Sequence, residues 1–225
     1  PILRLYQSRE IDELIILDVS PDLDTNKSNR FNWLHEVTAF ATMPLAVGGG
    51  INSIEQASDI ISMGADKLVL NRALRNSPSL ISQIANKHGS QSIVLSIDAV
   101  CINEQFFCYD SWLNKSTDVS VIDAIKLAED LGVGEIFLTS YDNEGTKKGF
   151  DKKLINHIKK YIKLPLIIHG GAYCKKDFLD VITFSHQHCI EINGLAAGSC
   201  FHFSSLTPAE VSIYLSSFDI PVRVV

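Results

Sequence analysis

The chain has 225 residues, of which 46% are hydrophobic and 20% are charged, and its formal net charge is -6. This composition is typical of a globular domain with a substantial core; it excludes a disordered or collagen-like chain, and the acidic balance excludes general attraction to nucleic acid. No window reaches the roughly 18 apolar residues of a membrane span and the start lacks a signal-peptide pattern, so we expect no membrane partner.

Seven apolar runs of strand length alternate with helical patterns along the chain. The runs cover residues 14–17, 45–47, 68–70, 93–97, 136–138, 166–168 and 190–192. Candidate helices cover residues 32–42, 53–63, 78–88, 119–131, 152–162, 175–185 and 207–217. Continuous apolar strands that alternate with helices of this length predict βα units and a parallel sheet that is buried on both faces.

Local signals support this alternation. Ser53 stands three residues before Gln56, which predicts a capping box, and Gly64 closes the same helix. One stretch departs from the alternation: residues 105–109 are β-like with polar flanks. We therefore predict a hairpin in the long loop that follows the fourth apolar run.

The sequence carries an internal repeat. Residues 13–18 (ELIILD) match residues 135–140 (EIFLTS), and Gly48-Gly49 matches Gly170-Gly171. Both matches are displaced by 122 positions, from 13 to 135 and from 48 to 170. Two equal displacements indicate a duplicated half of four βα units, and a (β/α)8 barrel is the closed arrangement of eight such units.

The predicted fold is accordingly α/β, a single TIM barrel over residues 1–225 with half-barrel repeats of about 1–118 and 119–225. Seven strands are one too few, so we expect the first strand and most of the first helix to be missing by N-terminal truncation, with residues 1–9 as the end of that helix. A barrel opened by one strand would expose two unpaired edges, which natural proteins avoid. We expect a protein about 30 residues longer, the usual size of one βα unit.

The cysteines indicate neither a disulfide framework nor a zinc site. Their number is odd and no two form a C-x-x-C pair; they are Cys101, Cys108, Cys174, Cys189 and Cys200. The run His186-Gln187-His188-Cys189 lacks a convincing fourth ligand, so we interpret it as a solvated loop. We expect a cytoplasmic protein with no metal and no cofactor.

The active site of a (β/α)8 barrel is built at the carboxyl ends of its strands, so the residues after each apolar run are the candidates. They are Asp18, residues 48–50, Asn71, Asp98, Ser140, residues 169–171 and residues 194–199.

Glycines in two of these turns suit phosphate binding. Gly48-Gly49-Gly50 and Gly170-Gly171 lack β-carbons, so their backbone amides can approach an anion closely. Gly198-Ser199 opens a short turn where barrels often carry an extra phosphate-binding helix, and Arg72 could add charge to the first site. Each glycine group on its own could be no more than a tight βα turn. Because the internal repeat relates the two groups, together they imply a long ligand with a phosphate at each end.

Asp98 ends a very apolar run, so its carboxylate would lie at the rim of a partly dry pocket and could transfer protons. It could instead cap a loop, and for a lone aspartate that interpretation is the better supported. A catalytic partner would be a second acid at the end of the first strand, which is the strand expected to be missing.

Glu13, Lys67 and Glu135 lie at the amino ends of predicted strands. Charged residues that enter the bottom of a barrel usually form an ion-pair plug for stability, and position alone favours that interpretation. The functional alternative is a gate to a channel through the barrel.

Taken together, these residues resemble the cyclase subunit of imidazole glycerol phosphate synthase along nearly the whole chain. The matching stretches are IDELIILD (11–18), VGGGI (47–51), GADKLVLN (64–71), NSPSLI (76–81), GSQSIVLSIDA (89–99), GVGEIFLTSYDNEGTKKGFD (132–151), LPLIIHGGA (164–172) and AAGSCFHF (196–203). A sister isomerase of histidine biosynthesis shares the barrel and the phosphate sites, but the GTKKGFD and FHF stretches resemble the cyclase.

The resemblance implies a lyase that takes ammonia from a partner glutaminase, bound as a heterodimer at the amino-end face of the barrel. Its substrate would be phosphoribulosyl formimino carboxamide ribotide, a bis-phosphate, and its products imidazole glycerol phosphate and aminoimidazole carboxamide ribotide. Asp98 falls on the second catalytic aspartate of the family. Glu13, Lys67 and Glu135 match three of four ammonia-gate residues, which now favours the gate over the plug, and Asp66 lies beside them.

The resemblance also assigns the positions that bind the two phosphates. These are Gly50, Asn71, Gly145, Gly171 and Ser199. Neighbouring residues complete the set that we expect to contact substrate, namely Gly49, Arg72, His169, Gly170 and Gly198.

Three residues around the substrate depart from the family pattern. Arg72 stands where threonine is usual, His169 where serine is common, and Trp112 in a loop position that is usually small. These departures leave one alternative to the cyclase, a paralogue that supplies ammonia for amidination of a sugar in surface-polysaccharide biosynthesis. A second alternative, a non-catalytic phosphate-binding scaffold, follows from the expected absence of half of the acid/base pair.

Overall fold

The computed structural model describes residues 6–20 and 31–223. Its strands are β1 (Leu14–Leu17), β2 (Leu45–Gly48), β3 (Lys67–Leu70), β4 (Ile93–Ile102), β5 (Gln105–Asp110), β6 (Lys115–Ser120), β7 (Glu135–Ser140), β8 (Leu166–His169) and β9 (Gly194–Ala196). Its helices are α1 (Leu34–Thr38), α2 (Ile54–Ser62), α3 (Ala73–Asn76), α4 (Pro78–His88), α5 (Val121–Asp130), α6 (Lys152–Ile158), α7 (Lys175–Gln187), α8 (Ser199–Phe203) and α9 (Pro208–Ser216). Residues 6–8 are also helical, and the rest of the expected first-helix end, residues 1–5, lies outside the described residues.

The main strands join in the hydrogen-bonded order β1-β2-β3-β4-β7-β8-β9. The pairs β1/β2, β2/β3, β3/β4, β7/β8 and β8/β9 are parallel. Helices connect these strands along the chain, because parallel neighbours need a crossover connection. The predicted α/β class is confirmed, and the alternation is that of a (β/α)8 barrel.

The chain divides into two compact units. The first unit comprises residues 1–95 and 131–134, and the second comprises residues 96–130 and 135–225. Leu68 and Ile93 are fully buried on neighbouring strands of the first unit, as are Ile136 and Leu166 in the second. Parallel strands with two buried faces require such continuous apolar runs, which is why these strands were predictable.

The helix α2 begins with the capping contact that its sequence predicts. Ser53 Oγ accepts a hydrogen bond from the Gln56 amide over 3.2 Å, and Gln56 Oε1 accepts one from the Asn52 amide over 3.1 Å. Thr207 and Glu210 form a capping box at α9. Such contacts satisfy amides of the first helical turn that have no partner within the helix. Within the described part of the chain, none of these helices has the length and apolarity to cross a bilayer.

The last strand is Gly194–Ala196, and the prediction of a strand at residues 190–192 was wrong. Ile190 is buried at the end of α7, where its amide donates to the Ser185 carbonyl over 2.9 Å. The pairing with β8 begins only where Ile167 stands opposite Gly194. An apolar run shows that a segment is buried, but it does not distinguish a buried turn from a strand.

The predicted hairpin is confirmed. β5 pairs antiparallel with both β4 and β6. β4 therefore continues to Ile102, beyond its predicted end, because its last residues pair with β5. Asp98 consequently lies inside β4 and not after it. It stands where the strand changes from parallel pairing, last seen at Leu95, to antiparallel pairing, first seen at Ala99.

The pairing registers refine the internal repeat. Leu14 of β1 pairs with Leu45 of β2. Ile136 of β7 pairs with Leu166 of β8. β7 therefore follows β1 by 122 positions, whereas β8 follows β2 by 121.

This one-residue difference changes which glycines correspond. Gly49 and Gly50 are equivalent to Gly170 and Gly171, and all four have positive φ. The sequence match paired Gly48 with Gly170, which is wrong by one residue. It used an offset of 122 throughout, whereas the strand pairing shows an offset of 121 between β2 and β8. His169, the last residue of β8, occupies the position that Gly48 holds in β2.

Candidate active site

The first glycine turn, residues 48–50, follows the end of β2 in the first unit. A β-carbon at Gly48 would lie 2.6 Å from the Val69 carbonyl oxygen, and one at Gly49 would lie 2.2 Å from the Asp18 carbonyl oxygen. Gly49 and Gly50 also have φ values of 115° and 64°, which favour glycine. The turn is closed to side chains, so it offers a ligand only its backbone.

Asn71 and Arg72 follow β3, the strand next to β2. Gly48 pairs with Val69, so both side chains leave the sheet at the carboxyl edge where the first glycine turn begins. Asn71 is exposed, and Arg72 immediately precedes α3. The first unit therefore places the Asn71 amide, the Arg72 guanidinium and the backbone amides of the glycine turn at one edge of the sheet. This combination is suited to binding a phosphate.

The second glycine turn, residues 170–171, follows β8 in the second unit. A β-carbon at Gly170 would lie 2.7 Å from the Ser140 carbonyl oxygen. One at Gly171 would lie 2.3 Å from the Gly149 carbonyl oxygen, and the Gly149 amide donates to the Gly171 carbonyl over 2.9 Å. The φ values are 106° and 93°. This turn is also closed to side chains, because the loop after β7 lies directly against it.

Hydrogen bonds fix the loop that joins β7 to α6. The Ser140 hydroxyl donates to Asp151 Oδ2 over 2.9 Å, and the Asn143 side-chain amide donates to the Gly149 carbonyl over 3.0 Å. Gly145 lies within this loop at φ 72°, and a β-carbon there would meet nothing within 4 Å. Glycine is therefore required at 145 by backbone conformation and not by lack of space.

His169 closes β8 beside the second glycine turn. Its Nδ1 lies 3.2 Å from Thr139 Oγ1, its Nε2 lies 3.6 Å from Glu144 Oε2, and its ring stacks on Phe137. Burial lowers the pKa of His169 below 6.5, and the Glu144 carboxylate acts in the opposite direction. The ring is therefore neutral at pH 7. Sequence analysis missed Thr139 and Glu144, although both lie at or just after the end of β7, where site residues are expected.

Asp98 is half-buried in β4 and accepts a hydrogen bond at Oδ2 from the Ser111 hydroxyl over 3.3 Å. Ser111 belongs to the turn between β5 and β6. The Asp110 carboxylate holds this turn by accepting hydrogen bonds from the Trp112 and Leu113 amides over 2.9 and 3.0 Å. The hairpin thus places the Ser111 hydroxyl within hydrogen-bond distance of Asp98, the candidate acid or base. Ser111 was missed because its contact depends on an antiparallel excursion whose register the sequence does not show.

A short helix, α8, follows the last strand, as expected. Gly198 precedes it, and its carbonyl accepts a hydrogen bond from the His202 amide over 2.9 Å. Ser199 is its first residue. Burial raises the pKa of Cys200 to about 11, so this thiol is protonated at neutral pH and is not an activated nucleophile.

Lys67 and Glu13 form an ion pair in the first unit, with 3.2 Å between Nζ and Oε2. Lys67 begins β3 and Glu13 immediately precedes β1, so both lie at amino ends of strands as predicted. Beside them, Asp66 Oδ2 accepts a hydrogen bond from the Leu45 amide over 2.8 Å. Glu135 is the first residue of β7 in the second unit.

The arrangement supplies groups for proton transfer and for anion binding. The second unit carries the Asp98 carboxyl group, the His169 imidazole and a turn closed to side chains. Across residues 6–20 and 31–223, the structure contains no cluster of three His, Cys, Asp or Glu side chains that could hold a metal ion.

Comparison with known proteins identifies the family. The profile of a family described as "Histidine biosynthesis protein" matches residues 1–207. Imidazole glycerol phosphate synthase subunit HisF of Chlorobium phaeovibrioides is 35% identical over 220 residues, which cover 98% of this chain and 85% of that protein. The same subunit of Pyrococcus furiosus is 35% identical over 97% of this chain and 84% of its own length. That of Thermotoga sp. (strain RQ2) is 34% identical over 98% and 84%. The chain belongs to this family.

Family membership confirms the resemblance drawn from the sequence. It also confirms, at the level of the family, the (β/α)8 barrel class and the assignment to cyclase-subunit enzymes of histidine biosynthesis. The matched residues include every candidate of the site, from Glu13 to Ser199.

Proposed function

We propose that this protein is the cyclase subunit that uses ammonia from a partner glutaminase. It converts phosphoribulosyl formimino carboxamide ribotide into imidazole glycerol phosphate and aminoimidazole carboxamide ribotide. The observation that carries the proposal is Asp98, a half-buried carboxyl group on β4 with a hydroxyl hydrogen-bonded to it, in a chain that matches cyclase subunits over 98% of its length.

Asp98 acts as the general acid or base of this reaction. Its carboxylate takes a proton from the attacking nitrogen and returns it to a leaving group, steps for which a positioned carboxyl typically contributes about 10²–10⁴-fold in rate. The Ser111 hydroxyl binds Oδ2 and so restricts the rotation of the side chain. Ser111 is accordingly a positioning residue.

Each unit carries a set of residues suited to binding a phosphate group. In the first unit the set is Gly49, Gly50, Asn71 and Arg72. In the second unit it is Gly145, His169, Gly170, Gly171, Gly198 and Ser199. The support for this assignment is that both glycine turns follow carboxyl ends of strands and have positive φ, a backbone conformation in which successive amides can bind an anion.

Lys67 and Glu13 form part of the gate through which ammonia enters, and the resemblance assigns Glu135 to the same gate. The Lys67 side chain is 18% exposed and that of Glu13 is 43% exposed. Water reaches the Glu13 carboxylate and screens its pair with Lys67, and screened pairs contribute only about 0–1 kcal/mol to stability, so a structural plug is a weak reason for the pair. A pair that opens at little cost suits a gate. The glutaminase binds the amino-end face that carries these residues and Asp66.

The test is ammonia-dependent turnover. Purified protein is given an ammonium salt and the ribotide, and both consumption of the ribotide and appearance of the two products are measured. The Asp98→Asn variant keeps the size and the Ser111 contact but cannot cycle a proton, so we expect its rate to fall by about 10²-fold or more. Asp118→Asn, an exposed carboxylate on β6, is the matched control and should retain the wild-type rate.

A folded wild-type protein that leaves the ribotide unchanged at saturating ammonium would contradict the proposal. It would favour the non-catalytic scaffold if the protein still binds the ribotide. Equal rates for wild type and Asp98→Asn would remove the role given to Asp98 while leaving the activity in place.

The second candidate function is the supply of ammonia for amidination of a sugar. Its support comes from the three residues that depart from the family pattern around the substrate. They are His169 with a neutral imidazole, Arg72 with a guanidinium, and Trp112, whose half-exposed indole lies on the turn next to Ser111. Growth of a histidine auxotroph that expresses the chain together with its glutaminase distinguishes the two candidates. Rescue supports the cyclase, and failure of a well-expressed complex supports amidination.

A further inference from the structure

His169 faces a carboxylate and immediately precedes a turn suited to an anion. Its Nε2 faces Glu144 at 3.6 Å, and the next residue begins the second glycine turn. We propose that His169 takes up a proton from solvent when a phosphate dianion binds at the second glycine turn, so that binding of the anion and protonation of the imidazole are coupled. This inference rests on the proposed function, because it takes the second glycine turn as a phosphate site.

The groups around the imidazole ring determine which hydrogen bonds its protonated form can make. Thr139 and Phe137 contact it from β7, Ala196 is paired with His169 from β9, and Glu144 approaches from the loop after β7. Of these groups Glu144 is the charged one, and its effect on His169 is electrostatic. In the imidazolium both ring nitrogens are donors, so Nδ1 donates to Thr139 Oγ1 and Nε2 donates towards Glu144.

The charges decide when the ring is protonated. Without a ligand, burial disfavours the cation, and the carboxylate at 3.6 Å is too distant for a good hydrogen bond and does not offset that cost. A bound dianion adds negative charge on the side of the glycine turn. Two negative groups then flank the imidazole, and together they favour the protonated form.

Protonation also relieves a repulsion. Glu144 belongs to the same loop as Gly145, so a phosphate at the second glycine turn meets a carboxylate close by. An imidazolium in contact with Glu144 adds a positive charge beside the two like charges and reduces their repulsion. The serine that is common at this position in the family does not titrate and cannot do this.

The coupling has a measurable consequence. By linkage, a ligand that raises the pKa of a group binds more tightly when that group is protonated. A rise of one pKa unit on binding corresponds to about tenfold tighter binding below the pKa than above it. We therefore expect the anion to bind more tightly as the pH falls from about 8.5, with the gain approaching about tenfold only below the pKa of the unliganded ring.

The probe is sulfate, a tetrahedral dianion whose own charge does not change near neutral pH. Isothermal titration calorimetry of the whole protein in two buffers of different ionisation enthalpy gives the number of protons taken up for each sulfate bound. We expect net uptake by the wild type over the pH range just above the pKa of the unliganded ring, where the ring is neutral until the anion binds. The His169→Asn variant keeps a polar group beside Thr139 but does not titrate, so it should bind sulfate with no uptake attributable to this site.

Two further variants sharpen the result. Glu144→Gln removes one of the two negative groups, so its proton uptake should fall below that of the wild type. His186→Ser removes an exposed imidazole from α7 and should leave both affinity and uptake unchanged. Circular dichroism of each variant establishes that it is folded before binding is measured.

The outcomes separate this inference from the function beneath it. Sulfate that binds to wild type and to His169→Asn with equal uptake and equal pH dependence overturns the coupling and leaves the phosphate site standing. Sulfate that binds to no folded variant overturns both. Uptake that is present in the wild type and lost in His169→Asn, with binding retained, supports the coupling.

Discussion

Asp66 and Asn193 make the same contact in the two repeats. Asp66 Oδ2 accepts a hydrogen bond from the Leu45 amide over 2.8 Å, and Asn193 Oδ1 accepts one from the Leu166 amide over 2.8 Å. Each residue also donates its own amide to the carbonyl of the same partner. A side-chain oxygen three bonds from the α-carbon therefore links the start of one strand to the next, and a charge on that oxygen is not needed for the contact.

This equivalence predicts how position 66 responds to substitution. Asp66→Asn keeps the oxygen and should unfold in urea at nearly the wild-type midpoint. Asp66→Ala leaves the buried Leu45 amide without that acceptor, so we expect a loss of about 1 kcal/mol, at the low end of the range because Asp66 itself is exposed. Equal stabilities for the two variants would contradict the role given to this contact.

The glycines of the second unit should differ sharply in their tolerance of alanine. Gly145→Ala adds a methyl group in open space, so only the left-handed backbone is strained, at about 1 kcal/mol. Gly171→Ala adds the same strain and a contact of 2.3 Å with the Gly149 carbonyl, and the loss should reach several kcal/mol. Chemical unfolding of both variants measures the difference, and a milder effect at 171 than at 145 would count against the geometry of the turn.

Lys67→Met separates a gate from a plug. The ion pair with Glu13 is partly exposed, so its loss should change the free energy of unfolding by no more than about 1 kcal/mol. If the pair controls ammonia entry, turnover with glutamine and the partner glutaminase should change several-fold while turnover with ammonium salt changes little. A large loss of stability with an unchanged ratio of the two activities would favour the structural ion-pair plug over the gate.

The capping box of α9 predicts an acid-sensitive contribution to stability. The hydrogen bond from the Thr207 amide lowers the pKa of Glu210, so the folded state favours the ionised carboxylate. The resulting stabilisation is present above the unfolded pKa of about 4.3 and is lost as the pH falls through the lower folded value. Glu210→Gln keeps an acceptor for the cap without a titrating group. Its melting temperature should therefore fall less than that of the wild type between pH 5 and about pH 3.

Much of the fold was predictable because buried parallel strands require continuous apolar sequence. Residues 166–168 and 136–138 could be recognised in this way, and each is observed within a strand. β9 could not, because Gly194–Ala196 has weak strand propensity and the more apolar residue before it, Ile190, is buried in a turn.

The site was predictable in part for a related reason. The two glycine turns follow apolar runs, so their place at strand ends could be inferred. Asp98 also follows an apolar run, but it lies inside β4, because the strand continues into the hairpin. The partner of His169 could not, because Glu144 belongs to another element and its approach depends on the path of a ten-residue loop between Tyr141 and Phe150. Ser111 was hidden likewise, since its contact with Asp98 requires the hairpin to fold back.

The tight packing at positions 170 and 171 also limits how such a protein can diversify. The fold does not accept alanine at either position, because the carbonyl oxygens of Ser140 and Gly149 already occupy the volume that a methyl group needs. A substitution that changes the chemistry of this edge without unfolding the turn must therefore fall on the flanking side chains, of which His169 is one.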